Sequence, residues 1–428
     1  MCHCASCGRL QTIPPLRPGA AARCTRCRQV LRRARRDPLI RPLACALAGL
    51  ALYGAVIALQ FMGIEVFGRS NDATLISFPA ELTASGFWPL AVLFVLFIIV
   101  LPPLKLLLLA AVLAGLRLKR PPAILRTLFR WYGLIGPWAM IEVFLVGVFV
   151  AYTRLVGLAT VDVGAAAWGL GGLMAAMTAA DATLDADAVW ETIDHRCCPL
   201  GHPTPTAPIP LGLPPGLRSP GPHTAGCPLC GKVVALGLAV AGHPTPSCPT
   251  RCPRCGARVW ARKPASLSRT WALLLAACIC AIGAYAYPVM TVTRLGQGAP
   301  MTIIQGIIEL FAIGWWPIGI IVFVASLTIP LFKLVALGAM LIGTQRRSAR
   351  GLRTRTRIYR FVEAIGRWSM IDIFMVSILT VLVRFGFFGT VHPNRGAVAF
   401  AAVVILTMFA AYSFDPRLMW DAAVPDEP

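Results

Sequence analysis

Residues 82–116 read LTASGFWPLAVLFVLFIIVLPPLKLLLLAAVLAGL, 35 positions with a single charge, Lys105. About 18 such residues already identify a membrane helix, so a run this apolar places the chain in a bilayer. It is too long for one straight crossing: about 52 Å as helix, against a hydrocarbon core of about 30 Å. Pro102 and Pro103 stand in its second half. Proline lacks the N–H a helix interior needs, so a kink or break is predicted there. A break would turn backbone groups toward a cavity; a plain proline kink needs none.

The stretch recurs. Glu81, Trp88-Pro89, Pro102 and Lys105 match Glu309, Trp316-Pro317, Pro330 and Lys333, each 228 positions on. Trp138-Ala-Met-Ile-Glu142 matches Trp368-Ser-Met-Ile-Asp372 at an offset of 230. Arg154 matches Arg384, and Asp185 with Trp190 matches Asp415 with Trp420. Self-similarity at a fixed period is the mark of an internal duplication.

Outward from these runs, eight spans are predicted: about 39–62, within 82–116, 133–160, 163–180, 268–288, 310–342, 364–386 and 396–414. The fourth has 18 uncharged residues, about 27 Å of helix and just enough for the bilayer core. Its Gly164, Gly169, Gly171 and Gly172 suit close helix packing. Each unit has an even number of spans, so both insert the same way. The expected fold is an all-α polytopic membrane protein, two parallel repeats of four transmembrane helices.

The formal net charge is +22, with only 14% charged residues and mean hydropathy +0.71. The charge lies in short segments between apolar runs, which argues for membrane topology and against nucleic acid. Basic residues load the N-terminus, the 117–130 loop, residues 181–267 and the 346–360 loop. The positive-inside rule then makes both termini cytoplasmic. The N-terminal segment holds no cleavable signal peptide.

Two cysteine modules lie on that same side. The first is Cys4-x2-Cys7-x16-Cys24-x2-Cys27, the second Cys227-x2-Cys230-x21-Cys252-x2-Cys255. Paired CxxC knuckles bring four thiolates to a tetrahedral zinc, and Gly8, Gly231 and Gly256 suit the knuckle turns. Each is read as a small cytoplasmic zinc ribbon whose ligands are all protein, hence structural. Iron in the same S4 geometry, or a ribbon without metal, fits the spacing too. Cys2, Cys197, Cys198 and Cys248 are spare, and His3 is a competing ligand. Gly226-x4-Gly231-Lys232 lacks the Ser or Thr of a phosphate loop, since Val233 follows. The expected organisation is ribbon 1 (1–36), membrane unit 1 (37–181), a Pro- and Gly-rich linker (182–225), ribbon 2 (226–263), membrane unit 2 (264–415) and a cytoplasmic tail (416–428).

Lys105 and Glu142, and again Lys333 and Asp372, count out to similar depths on adjacent helices. A lone charge there costs at least about 2.5–3.5 kcal/mol, so pairing or a wet cavity is expected. These four residues are candidates for a polar lipid or proton site; a structural ion pair or a snorkelling lysine is the plainer reading. All six histidines (His3, His195, His202, His223, His243, His392) fall outside the spans, which removes a bis-histidine haem site and weakens a redox reading.

The tandem CxxC ribbons, the P-x-x-K runs, W-x-M-I-[DE]-x-F and the closing Phe414-Asp415 with Trp420-Asp421 together resemble the paraquat-inducible protein A family, with its PqiA-like and LetA-like members. The resemblance covers nearly the whole chain apart from the linker. It implies a Gram-negative inner-membrane protein, not an enzyme, that passes phospholipid to or from a periplasmic MCE-domain tunnel protein and supports the outer membrane. The first half departs from the pattern, with Glu142 for Asp372 and Thr183-Leu184-Asp185 for Ser413-Phe414-Asp415. The other reading is a membrane scaffold or regulator whose ribbons dock a cytoplasmic partner.

Overall fold

A computed structural model describes residues 2–66, 69–86, 88–156, 160–197, 224–235, 250–294, 297–382 and 389–423. The chain opens with two small hairpins, β1 (Cys2–His3) with β2 (Leu10–Gln11) and β3 (Ala21–Arg23) with β4 (Val30–Arg33). The first membrane half then runs α1 (Ile40–Ala58), β5 (Gln60–Val66), β6 (Arg69–Thr74), α2 (Ser77–Ala84), α3 (Trp88–Phe94), α4 (Leu101–Gly115), α5 (Leu125–Ile135), α6 (Ile141–Val156), β7 (Thr160–Val163) and α7 (Ala165–Thr183). Helix α8 (Ala186–Cys197) follows, inside the segment read as linker. Residues 198–223 of that segment lie outside the described residues.

Two more hairpins follow, β8 (Thr224–Gly226) with β9 (Val233–Ala235) and β10 (Thr250–Arg251) with β11 (Arg258–Val259). The second half runs α9 (Ser266–Ala286), β12 (Met290–Arg294), β13 (Gln297–Met301), α10 (Ile303–Ala312), α11 (Trp316–Phe323), α12 (Ile329–Gln345), α13 (Leu352–Ile365), α14 (Ile371–Leu382), β14 (Gly389–Pro393), α15 (Arg395–Ser413) and α16 (Arg417–Asp421).

Seven helical runs among the described residues are long and apolar enough to cross a membrane: Ile40–Ala58, Trp88–Gly115, Leu125–Thr153, Ser266–Ala286, Gly319–Gln345, Leu352–Leu382 and Arg395–Ser413. The predicted fourth span is the 19-residue helix α7, which is less apolar than these because alanine and glycine carry little side-chain surface. It packs along α1, as α15 packs along α9. Close approach explains two of its glycines: a Cβ on Gly169 would stand 2.9 Å from Val56, and one on Gly172 3.3 Å from Leu52.

The fold is mostly helical, not all-α. The loops opposite the ribbons form two three-stranded antiparallel sheets, ordered β6-β5-β7 and β13-β12-β14. Each draws its third strand from a loop about a hundred residues away, so short polar segments satisfy their backbone groups only after the helices have assembled.

The long run resolves into parts. Leu82–Ala84 ends α2, Gly86 turns the chain at φ +82°, and the span proper begins at Trp88. Before each proline the helix widens into a π segment, Val95–Val100 and Val324–Thr328. The wider turn makes room for rings that clash with the carbonyls four residues back. Two tyrosines, Tyr53 buried and Tyr285 half-buried, meet the loosened backbone: Tyr53 donates to the Ile99 carbonyl (2.5 Å) and Tyr285 to the Ser326 carbonyl (3.0 Å). The two halves meet along α6 and α14, where Phe144 packs edge-on against Phe374 at 5.7 Å.

Candidate metal centres and the cavity between the halves

Four knuckles with one backbone pattern build the two cysteine clusters. The N–H of Gly8, Arg28, Gly231 and Gly256 returns to the carbonyl of Cys4, Cys24, Cys227 and Cys252 at 2.8–3.0 Å. All four residues sit at φ 60–73°. That left-handed conformation costs glycine nothing, and Arg28 is the exception that bears strain.

The turns aim the thiols inward. Cys4–Cys27 and Cys7–Cys24 lie 3.5 and 3.6 Å apart, sulfur to sulfur, and Cys227–Cys255 and Cys230–Cys252 both 3.5 Å. Four bonds of about 2.3 Å to a tetrahedral ion imply sulfurs about 3.8 Å apart, so both clusters fit one ion each. All eight cysteines are buried. Hydrogen bonds from Cys4 and then Cys7 hold the Cys27 thiol below its ordinary value; those from Cys227, Cys230 and Cys255 do the same for Cys252. His3 is outside the first cluster. Burial, and then the charges of Arg417 and Arg262, hold its imidazole down to about 4, so it sits neutral against Gly226 and joins the two ribbons. Cys2 is partly exposed and joins neither cluster; Cys198, Cys248 and the Cys197 side chain are outside the described residues.

The ribbons cross over. Ribbon 1 docks on the second half: Arg360 donates to Cys27 Sγ at 3.1 Å, Arg26 stacks on Trp420 at 4.5 Å, and Trp420 donates to Thr356 Oγ1 at 3.0 Å. Ribbon 2 docks on the first half: Arg254 pairs with Asp194 at 2.7 Å, and its cysteines join the buried cluster that holds Phe129, Trp190 and Ile193. Ribbon 1 also reaches back to α8 through Arg32 and Glu191, 3.0 Å apart.

Asp415, from the closing motif, ties the second half together at this end. It accepts from the Lys263 and Arg417 N–H groups at 3.1 Å and from the Arg417 guanidinium at 2.8 and 2.9 Å. Burial pushes the carboxyl up, but Arg417 and the two backbone donors outweigh it and hold the group below the usual carboxylate range. Such a depressed group stabilises fully above its unfolded value of about 4 and loses that contribution as pH falls through the folded value. Asp415→Asn should therefore cost about 3 kcal/mol at pH 7, because Arg417 is left buried beside an amide. Thermal melts in detergent across pH 3–8 check this: the gap to wild type should be flat above about pH 5 and narrow below about pH 4.

Lys105 and Lys333 line one cavity between the halves, about 1,220 Å³ counted out to its mouth, together with Tyr132, Asp181, Arg360 and Glu363. Arg360 also reaches Cys27, so the cavity lies toward the ribbons. The carboxylate against Lys105 is Asp181, not the expected Glu142: the ammonium lies 2.5 Å from Oδ2, and Tyr132 donates to Oδ1 at 2.8 Å. The depth count assumed one helix from Arg130 to Glu142. In fact α5 ends at Ile135, a 3-10 turn spans Gly136–Trp138, and Glu142 sits half-buried in the first turn of α6. Lys333, 1% exposed, donates to the Gly366 carbonyl at 3.1 Å. Asp372 is on α14, with its side chain outside the described residues. Asp181, the last residue of the expected membrane unit 1 and the first charge after the fourth apolar run, was not singled out; it lies two residues before the end of α7.

The family model for paraquat-inducible protein A matches twice, over residues 39–194 and 267–423. The chain belongs to the paraquat-inducible protein A family. It is 32% identical over 423 residues to the Intermembrane transport protein PqiA of Escherichia coli K12, covering 98% of this chain and 95% of that one. It is 28% identical over 421 residues to the Lipophilic envelope-spanning tunnel protein A of the same strain, covering 98% and 91%. A Probable intermembrane transport protein of Haemophilus influenzae is 24% identical over 419 residues, covering 97% and 95%. No solved structure matches. Membership in the paraquat-inducible protein A family, with the seven apolar helices among the described residues, makes this a multi-pass membrane protein.

Proposed function

We propose that the chain is the bacterial inner-membrane component of a lipid transport system, handing phospholipid to or from a periplasmic MCE-domain tunnel protein and so supporting the outer membrane. It is built as two parallel repeats of four transmembrane helices, with α7 as the fourth span, completing eight. Both termini and both ribbons are cytoplasmic, and each ribbon holds one structural zinc. The chain is not an enzyme.

One observation carries this reading: a large cavity between the halves, inside an apolar helical body, lined by the lysine of each half. Apolar walls with a few convergent cations suit an amphiphile with a phosphate headgroup. The names of the full-length relatives support the same direction. The double match of the family model and the equal order of elements support the repeat. The basic loops stand at the ribbon end, as cytoplasmic loops do. The scaffold reading is weakened because the described ribbons spend Arg26 and Arg254 on contacts within this chain, to Trp420 and Asp194.

The test is complementation. In a strain lacking the protein, wild type should restore outer-membrane resistance to detergent, and Arg360→Ala at normal expression should not. Restoration by a variant lacking both Lys105 and Lys333 would defeat the transport reading and favour the scaffold.

A further inference from the structure

The two halves are filled differently. In the first, Phe61, Phe78, Phe94 and Phe144 close a ring of aromatic contacts at 5.0–5.9 Å. All four are buried to 1% exposure or less. With the 228 offset, which also aligns the end of α1 with that of α9 and the start of α3 with that of α11, three of these positions become Val289, Gly306 and Val322. Only Phe144 keeps its ring, as Phe374 at the 230 offset, and that ring turns to Phe144. Beside them Ile98 becomes Ser326.

Where the first half is plugged, the second has a slot. It is narrow and lined by Val289, Gly306 and Val322, with Ser326 in the wall and Leu90 of the first half facing them. The Ser326 hydroxyl is fully buried and has no hydrogen-bond partner among the described residues. Serine in a helix usually bonds back to its own turn. A buried hydroxyl left unmet costs about 1–3 kcal/mol, which a bound acceptor would recover. Strand β12 borders the slot, and α9 separates it from the ribbons by about 30 Å, so the slot lies in the membrane half opposite them.

The lysines diverge in the same sense. Asp181, which meets Lys105, has Ala411 as its counterpart. Lys333 stands seven residues beyond Ser326 in one helical span, about 10 Å along the axis. The second half thus offers a cation and an apolar slot in line, while the first has a neutralised lysine above a filled core.

We propose that the second half alone holds the transported lipid, with one acyl chain of a phospholipid in the slot and an ester oxygen on the Ser326 hydroxyl, while the first half is a plugged structural copy. This rests on the lipid-transport reading above. An acyl chain could come from a phospholipid or from a free fatty acid, and the test separates them.

The full-length protein in nanodiscs is photolabelled with a phosphatidylethanolamine bearing a mid-chain diazirine, and in a parallel arm with the same chain as free fatty acid. Labelled peptides are mapped by mass spectrometry. The phospholipid should label residues 289–326 at least fivefold over residues 61–82, which hold Phe61 and Phe78 of the filled core and no residue of the slot, and more than the fatty acid does. Val322→Phe and Ser326→Ile, which copy the first half, should each cut that labelling at least fivefold. Equal labelling of the two halves, persistence in correctly folded Val322→Phe, or stronger labelling by the fatty acid would overturn the proposal. Should the variants not fold, the ratio between halves in wild type decides alone. Label confined to the lysine-lined cavity would leave lipid transport standing and sink the slot; no label in either core would sink both.

Discussion

Cys24→Ser is expected to lower bound zinc from two to one per chain and to loosen the second membrane half more than the first. The first effect follows from ligand count. A structural tetrahedral site draws on the order of 10 kcal/mol or more from its ion, and a hydroxyl is a poor substitute for a thiolate. The second follows from the crossed docking. Without its ion, ribbon 1 no longer holds Cys27 against Arg360 or Arg26 over Trp420. Hydrogen exchange should rise in α13 and α16. Cys252→Ser should do the reverse, loosening α5 and α8 where Arg254 and Asp194 meet. Two zinc ions retained in Cys24→Ser would refute the ligand set. Faster exchange confined to the half that follows the altered ribbon in sequence would refute the crossing.

Lys333→Met is expected to abolish complementation while raising thermal stability. The side chain is 1% exposed. An ammonium at membrane depth costs roughly 2.5–3.5 kcal/mol, and methionine removes that cost at nearly the same volume. The lost hydrogen bond to the Gly366 carbonyl returns about 1 kcal/mol. A net gain of about 2 kcal/mol therefore remains. Lysine kept against its own stability is lysine kept for work. Lys105→Met should behave otherwise, because it strands Asp181, which also accepts from Tyr132. A melting temperature that falls in Lys333→Met, with function declining only as protein level does, would make the lysine structural.

Most of the architecture was legible because its signals are local. A 35-residue apolar run, CxxC pairs and a recurring W-x-M-I-[DE] each declare themselves within a few turns of chain. The two cysteine quartets came together as the spacing required. What stayed hidden depends on distant segments. The strands β7 and β14 find partners about a hundred residues away, and Arg360 meets Cys27 across 333 positions. No periodicity encodes such contacts. Asp181 was passed over as a site residue because its charge was taken only as the end of the fourth apolar run, whereas in the folded chain Lys105 and Tyr132 both meet its carboxylate. Arg28 looked unlike its three glycine counterparts, yet the knuckle imposes the same left-handed turn on it. The phenylalanine-to-small replacements are readable at the same 228 offset, but nothing local to them shows that the four rings meet in one core.

Native mass spectrometry of the purified, delipidated protein tests the central claim most directly. The account predicts one or two phospholipids per chain that survive stripping of the surrounding lipid, and their loss in Lys333→Met. A protein that stays folded and sheds every phospholipid, or one whose retained lipid is unchanged by that substitution, would contradict a lipid-handling core.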